Sequence, residues 1–589
     1  NAVNINYVHA DKHTIVWENA TTVYIGSDGG VTKSTDAGAT WAARNYGYNV
    51  TTFYDMDIAA NGFIAGGAQD NGTQVVTFGS FGELTPLGSV EVQGGDGFDV
   101  CFSNFGEGII YATSQNGTLT RATPGSTGGP FYSNAMTGII ASTEQPFHTV
   151  TGNWETRTAL ESLDSIPMTF NNTVGTVIKP AKFDATGNIV LVPADTVFAG
   201  ETIHAGDTIH YFSMTNNLPL QHVVTADIVL SSPADTIKLQ DIYQNRFATR
   251  LSSTDARERG VYLTQDAARL NALEVKWFRI LPFSNIENIE FSSNGNNVYL
   301  GSNNGKIYRV SGLNLVTSSD DQATWDATLK VAEIATGLGG VVNMAVDPNN
   351  GQNMIATSTG YTTGNHVYRC TNALNATGST GNFEQIQGSG SNALPKMPVY
   401  DAEVVYSDNN KVIIGTEWGV WTTDNAFSAT TGSAVQWTDE SGAGMAHVPV
   451  FVVKQQHVTA WQASNSGVVY LGTHARGFYK ATEFPAINVA VEENDADFAD
   501  KDGFASDLAV YPNPLNSVGT LSFNINENVE TTIKIYNLMG ALVKTIPLGT
   551  TTKGEHKERF NVSDLSVGTY VISLEAGNER KVAKFIVTR

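Results

Sequence analysis

At 589 residues the chain is too long for one ordinary hydrophobic core, so two to four domains are expected. Only 15% of its residues are charged and the formal net charge is -23, which argues against nucleic-acid or anionic-membrane partners, since both need a basic face. No apolar run is long enough to span a bilayer. The two cysteines, Cys101 and Cys370, are too few for a disulfide scaffold, and both are expected to be buried free thiols. The first residue is Asn1 and no signal peptide follows it, so the chain is expected to be processed or to be the C-terminal part of something longer.

Short strands separated by Gly, Asn, Asp, Ser and Thr turns run through the whole sequence, and no stretch keeps a helical period for long. The class is all-β. In chain order, HADKH (His9 to His13) comes first, and alternation along a strand would point His9, Asp11 and His13 to one side. Two imidazoles and a carboxylate suit a divalent metal, although no cofactor is required and a hydrogen-bonded structural cluster is the simpler reading. VYIGSDGGVTKS follows from Val23, then STDAGATW, in which Ser34, Asp36, Gly38, Thr40 and Trp41 fit an Asp-box. Here Asp36 and Thr40 would tie down a hairpin turn while Trp41 packs between neighbouring sheets, a folding device without catalytic meaning.

The pattern of apolar strand, Gly, hydroxyl residue, short turn and second strand returns at Val298, Val412 and Val469, with looser copies at Phe63, Ile109, Gly260 and Met354. From Val298 the units lie 56 to 58 residues apart, slightly longer than the roughly 40–50 residues of common propeller blades. Such units bury their faces by stacking around an axis, with a Gly in the inner strands where backbones crowd. About eight copies give a β-propeller of seven or eight blades, or seven with the first unit belonging to a propeller that begins earlier. SSDDQATW (Ser318 to Trp325) reads as a degraded second Asp-box.

HADKH, SDGGV, GGAQDNGT (Gly66 to Thr73), GGDGF (Gly94 to Phe98) and GTHARGFY (Gly472 to Tyr479) together resemble the secreted propellers with sialidase-type (BNR, sortilin-like) repeats, Ala475 departing from the group's pattern. The resemblance covers about residues 1–123 and 255–482, within expected propeller parts at 1–123 and 251–482. It implies a fold more than a reaction.

Residues 124–250 break the blade rhythm and are expected to form a β-module inserted between two blades. Its Asp-Ser/Thr-aliphatic triplets place Ser165, Thr196, Thr208 and Thr236 in a sequence that resembles the O-glycosylation acceptor of exported Bacteroidetes proteins. Residues 483–506 read as an acidic linker. Residues 507–589 read as a small, Ig-like β-sandwich. This stretch resembles the type A C-terminal sorting domain of the type IX secretion system, through Pro512, Asn513 and Pro514, Gly540, Gly568, Tyr570, and a basic last strand with Lys581 and Lys584. The resemblance implies a secreted or cell-surface protein whose partners are that machinery, including an outer-membrane shuttle barrel.

Aligning the repeats puts Asp28, Asp70, Gln115, Asn303, Glu417 and His474 at one equivalent turn, ringing one mouth, with Arg476 beside them to hold an anion or a sugar hydroxyl. Plain turn chemistry explains the same Asp and Asn residues. The expected function is therefore a non-catalytic adhesion or glycan-binding protein, or one that binds a surface protein. The alternative is a glycoside hydrolase of xyloglucanase or sialidase type; WFRILP (Trp277 to Pro282) resembles a sialidase strand interrupted by Leu281, but no arginine set stands out.

Overall fold

A computed structural model describes residues 6–487 and 508–587 apart from short internal stretches, the longest of them 136–145, 170–181 and 191–201. It is all-β, built from many small antiparallel sheets, and it divides into two compact units, Asn1–Asn488 and Val489–Arg589. No helix among the described residues is long and apolar enough to cross a membrane.

Eight sheets of the first unit share one plan, four strands in meander order, the last sheet having three. Sheet 1 comprises Lys12–Trp17, Val23–Ser27, Gly30–Ser34 and Ala42–Ala43. The first strands of the other seven are Phe53–Ile58, Gly97–Phe102, Thr151–Thr156, Ile286–Phe291, Val342–Val346, Val399–Val404 and Val450–Gln455. Each packs beside the next in that order, and Val450–Gln455 returns to Phe53–Ile58, so the sheets follow one another in a closed cycle of seven. Sheet 1 is outside the cycle, and every residue of its first strand is exposed.

The cycle is tight because glycine stands where a second strand meets the next sheet's first strand. A Cβ on Gly67 would lie 1.8 Å from the carbonyl oxygen of Phe98, and one on Gly415 would lie 2.5 Å from that of Val450. At the seam, Phe478 stacks on Phe53 at 3.9 Å between centroids, and Gln456 Nε2 and Asn465 Nδ2 donate to the carbonyls of Ile58 and Ala59. Residues some four hundred positions apart thus join the two ends.

The insertion is narrower than the expected 124–250 and lies elsewhere in the plan. Phe131–Ala135 completes the third sheet, and Thr151–Thr156 pairs with Gln244–Leu251 as first and second strands of the fourth. The excursion therefore leaves from within a sheet, between its first two strands, rather than between two sheets. It contains two-stranded pairs such as Ser165–Thr169 with Thr236–Gln240 and Thr208–Phe212 with Pro219–Val223, over a core of Ile209, Tyr211, Leu220, Val224 and Leu239. Ser165, Thr208 and Thr236 lie on these strands; Thr196 lies outside the described residues.

Two local expectations divide. In STDAGATW, Ser34 Oγ and the Thr40 N–H both donate to Asp36 Oδ1 at 2.8 Å, and Thr40 Oγ1 donates to Asp36 Oδ2 at 2.6 Å. These hydrogen bonds, those from Thr40 first, hold the Asp36 carboxyl down at about 2. SSDDQATW does something else. Asp321 caps a short helix, Gln322–Thr328, by accepting from the Thr324 N–H, and Trp325 is buried flat against Phe278 at 4.0 Å. With Gln322 in place of the box glycine, the chain continues into a helical turn instead of a hairpin. Cys101 and Cys370 are both free and buried, on different sheets, as expected.

The second unit pairs a three-stranded sheet (Ala509–Tyr511, Val518–Ile525, Gly554–Asn561) with a four-stranded one (Leu542–Thr551, Val529–Asn537, Gly568–Ala576, Glu579–Val587). Leu521, Phe523, Ile535, Phe560, Leu574 and Phe585 from both sheets form one core, the seven-stranded sandwich that alternation predicts. Pro512, Asn513, Pro514, Gly540 and the linker Val491 to Gly503 lie outside the described residues.

The packing at Gly67 yields a direct test. Gly67→Ala drives a methyl into the Phe98 backbone, so the first unit should lose about 3 kcal/mol of stability, read as a lowered denaturant midpoint, while the sandwich melts unchanged.

Candidate functional site

The first strands alternate between packing and polar positions, and register aligns them. Asp55, Asn288, Asp401 and Val452 sit opposite Gly67, Gly301, Gly415 and Gly472, and two residues further on come Asp57, Glu290, Glu403 and Lys454. Together with Asp99 they line a central cavity of about 730 Å³ to which all seven first strands contribute. Most of these carboxylates stitch one strand to the next. The N–H of Val100 donates to Asp55 (3.0 Å), Phe102 to Asp57 (2.6 Å), Thr151 to Asp99 (2.8 Å), Val453 to Asp401 (2.9 Å) and Gln455 to Glu403 (3.0 Å).

Crowding acidic groups away from water favours their neutral forms. Burial, with Asp99 beside it, raises Asp55 to about 7, and burial raises Asp401 to about 7 and Glu290 to about 8. Burial also lifts Glu155 to about 7, although it accepts from Ser103 Oγ and the Asn104 N–H. Lys454 answers them from the closing strand, its Nζ 4.0 Å from Asp57. Burial opposes its charge, but Asp57, Asp55 and Asp401 more than offset that and hold the proton tightly.

The turns between second and third strands emerge where the first strands begin, since Phe53 pairs with Ala68 and Val399 with Thr416. At this end the structure draws the expected residues into two groups. Glu417 Oε2 accepts from the hydroxyls of Tyr361 (2.9 Å) and Tyr400 (2.5 Å). Tyr400 meets Phe451 edge-on at 4.6 Å, and Phe451 meets His474 at 5.3 Å. Phe451 also lines the cavity, so this cluster stands at its mouth. Tyr361 is 77% exposed and Trp418, stacked on His447, 57% exposed. Across the same mouth Tyr54, Phe98 and His148 adjoin, with Phe147 61% exposed and His148 bound to Asp99 at 2.9 Å. Arg476 is exposed on the His474 turn.

Asp28 and Asp70 form the other group. Asp28 accepts from His13 Nε2 at 2.5 Å, and Asp70 has left-handed backbone with its N–H donating to Asp96. Burial, then Asp28 and Asp96, raise the Asp70 carboxyl. Asn116 and Ala475 share the left-handed conformation at their own turns, so local turn geometry accounts for Asp70. Ala475 adopts it without glycine's freedom.

The candidate metal set does not assemble. The strand begins only at Lys12, Asp11 is in left-handed backbone before it, and His9 bonds the Ala10 carbonyl while His13 turns to Asp28. Among the described residues no three metal-ligating side chains come together in a geometry that holds an ion. Sequence reasoning passed over the acidic ladder, although its signal is present in FYDMDI, IENIEF and VYDAEV, which repeat an acidic or amide residue two positions before an acidic one.

Residues 509–588 match the secretion-system C-terminal sorting domain family. This is a type IX export signal. It makes the chain a secreted protein attached at the cell surface, with the type IX machinery as its partner. Within the tail, Tyr570 is buried and its hydroxyl donates to the Ser566 carbonyl at 2.9 Å, Gly568 opens the Gly568–Ala576 strand, and Lys581 and Lys584 lie on the last strand. No curated protein matches the chain. Among solved structures it is similar to PorZ, a bacterial surface component of the type IX secretion system of Porphyromonas gingivalis, at 14% identity and a TM-score of 0.27, covering 99% of this chain and 82% of that one. It is also similar to Sqt1 of Saccharomyces cerevisiae (10% identity, TM-score 0.34, 74% of this chain, 97% of that one). Sqt1 from Chaetomium thermophilum gives 11% identity and a TM-score of 0.39, covering 78% and 92%.

Two outcomes follow from this geometry. Asp55, Asp401, Glu155 and Glu290 hold protons more tightly folded than unfolded, so their contribution is complete below the ordinary carboxylate range and is lost as pH rises through about 7 to 8. The Tm of the first unit should fall from about pH 5 to pH 8 in calorimetry and level off above that, and Glu290→Gln should flatten that slope. Deleting residues 507–589 should leave the first unit folded but retained in the periplasm, as fractionation of the native host would show; normal surface levels would sink the export assignment.

Proposed function

We propose that the first unit is a seven-bladed β-propeller of the sialidase-type-repeat group, displayed at the cell surface, which binds glycans at its aromatic mouth without cleaving them. The cycle of seven sheets supports the propeller, and the hydrogen-bonded turn at Asp36 supports the repeat type. One observation carries the binding reading: two exposed aromatic side chains, Tyr361 and Trp418, lie beside a carboxylate, Glu417, already engaged with hydroxyl groups. Sugar rings stack on aromatic faces and their hydroxyls donate to such a carboxylate, while His474 and Arg476 on the same mouth offer further polar groups. The shuttle barrel enters this reading only through the sorting domain.

A second reading has its own observation. A tyrosine bonded to a glutamate, as Tyr400 is to Glu417, is the nucleophile pair that a sialidase uses. Burial and then the Glu417 hydrogen bond raise the Tyr400 hydroxyl above its ordinary value, which disfavours the tyrosinate that would attack. A xyloglucanase-like role for Asp28 meets a different obstacle, since that carboxylate is committed to His13.

A glycan array with the purified protein, followed by titration of the best sugar, tests the proposal. Trp418→Ala and Tyr361→Ala should each weaken binding by about tenfold or more with stability unchanged. Turnover of a fluorogenic sialoside that disappears in Tyr400→Phe would replace binding by hydrolysis.

A further inference from the structure

Sheet 1 is the part of the first unit that the cycle of seven leaves over. We propose that it belongs to a second ring: its two flanks are made to pack between two further four-stranded sheets of the same plan, contributed by the same polypeptide on its N-terminal side. The proposal goes beyond the glycan reading and rests only on how the seven sheets stack.

Sheet 1 carries the devices that the stacked sheets use. Its first strand has a bulge between Lys12 and Thr14, matching those between Phe53 and Asp55, Val399 and Asp401, and Val450 and Val452. Thr14 then pairs with Gly26 as Asp55 pairs with Gly67 and Asp401 with Gly415. In the cycle, that glycine makes room for the next sheet. A Cβ on Gly67, Gly301 or Gly415 would lie 1.8, 2.1 or 2.5 Å from a carbonyl oxygen of the next first strand. A Cβ on Gly26 would meet, among the described residues, only the Thr14 methyl of its own sheet at 2.8 Å.

The third strand agrees. Arg121, Arg309 and Arg369 donate to the carbonyls of Ala267, Ala373 and Ala426, each in the sheet that follows, at 2.7, 2.7 and 2.8 Å. Lys33 holds the same register position, opposite Tyr24 as Arg121 is opposite Tyr111 and Arg309 opposite Tyr299. Its ammonium turns back onto sheet 1, 4.8 Å from the Tyr24 ring and 3.6 Å from Glu18.

The other flank is bare as well. Ile15 and Trp17 occupy the positions of the buried Met56 and Ile58, yet they are 59% and 56% exposed. Ile64–Ala68, Met354–Ser358 and Val412–Thr416, second strands of the cycle, are buried at every residue, whereas Val23–Ser27 is buried only at Val23 and Ile25. Exposed apolar strands of this kind mark an interface. The sheets on the C-terminal side are already committed, seven to their own cycle and the tail to its own core. A second copy pairing strand to strand would cover Lys12–Trp17 but leave Gly26 and Lys33 without the neighbour they are placed for. Like sheets on both flanks answer all three positions, as radial stacking requires.

Hydroxyl-radical footprinting with peptide mapping, comparing the protein isolated from its native host with the 589-residue chain produced alone, provides the test. The native polypeptide should carry further repeats of this kind ahead of Asn1. In it Trp17, readily oxidised in the shorter chain, should become as protected as the fully buried Trp325. Gly26→Ala should lower the Tm of the native polypeptide and leave that of the 589-residue chain unchanged, since only the former has a backbone across from Gly26. Equal reactivity of Trp17 in the two proteins would overturn the proposal, and so would a native polypeptide without further repeats. Protection of Trp17 in the 589-residue chain alone, rising with its concentration, would replace the second ring by a second copy. The footprint uses unaltered proteins and stays decisive even if Gly26→Ala fails to fold.

Discussion

The first unit is tied by one recurring bond, made at three of its seven seams among the described residues: a carboxylate on a first strand accepting a backbone N–H from the first strand of the next sheet. Every sheet ends at that strand, and its inner edge would otherwise present unpaired N–H groups to a narrow space. Asp55, Asp57, Asp99, Asp401 and Glu403 remove that problem and at the same time tie sheet to sheet. The bond is charge-assisted, so it is stronger than a neutral pair. Its drawback is cumulative, because each further carboxylate adds repulsion around one shared cavity. Two responses are built in: Lys454 on the closing strand, and carboxyls whose proton affinity rises into the neutral range. The acidity of the cavity is therefore a consequence of those seam bonds.

The mouth is free of that constraint, and its chemistry differs accordingly. Side chains there sit on turns and strand beginnings, where backbone bonding is already complete, so aromatic groups and a carboxylate engaged by hydroxyls can face outward. Tyr400 and Phe451 connect the two regions physically: both sit one residue into their first strands, touch each other, and are followed in Asp401 and Lys454 by cavity residues.

The fold class, the repeat positions, the inner-strand glycines and the seven-stranded tail were legible because each leaves a local mark: alternation, a fixed spacing, a residue without a side chain where backbones cross. The number of sheets in the cycle was not legible, because sheet 1 repeats the pattern of the rest and differs only in what covers it. Lys12–Trp17 is exposed throughout, a property of neighbours and not of the strand. The insertion's edges were misplaced for a related reason. Thr151–Thr156 and Gln244–Leu251 pair across ninety residues, and nothing in either strand announces its partner. SSDDQATW went wrong locally, one glycine-to-glutamine difference turning a hairpin into a capped helix.

At the site, turn residues were readable and their meaning was not. Asp28, Asp70, Glu417 and His474 do occupy equivalent turns, yet Asp70 is there for its left-handed backbone and Glu417 for its two tyrosine partners. What separates them is a pair of hydroxyls from Tyr361 and Tyr400, one on a loop of the preceding sheet and one on a first strand. Equivalence by repeat identifies where a side chain emerges. Chemistry depends on which neighbours the cycle brings to it, and those come from adjacent sheets rather than from the same repeat.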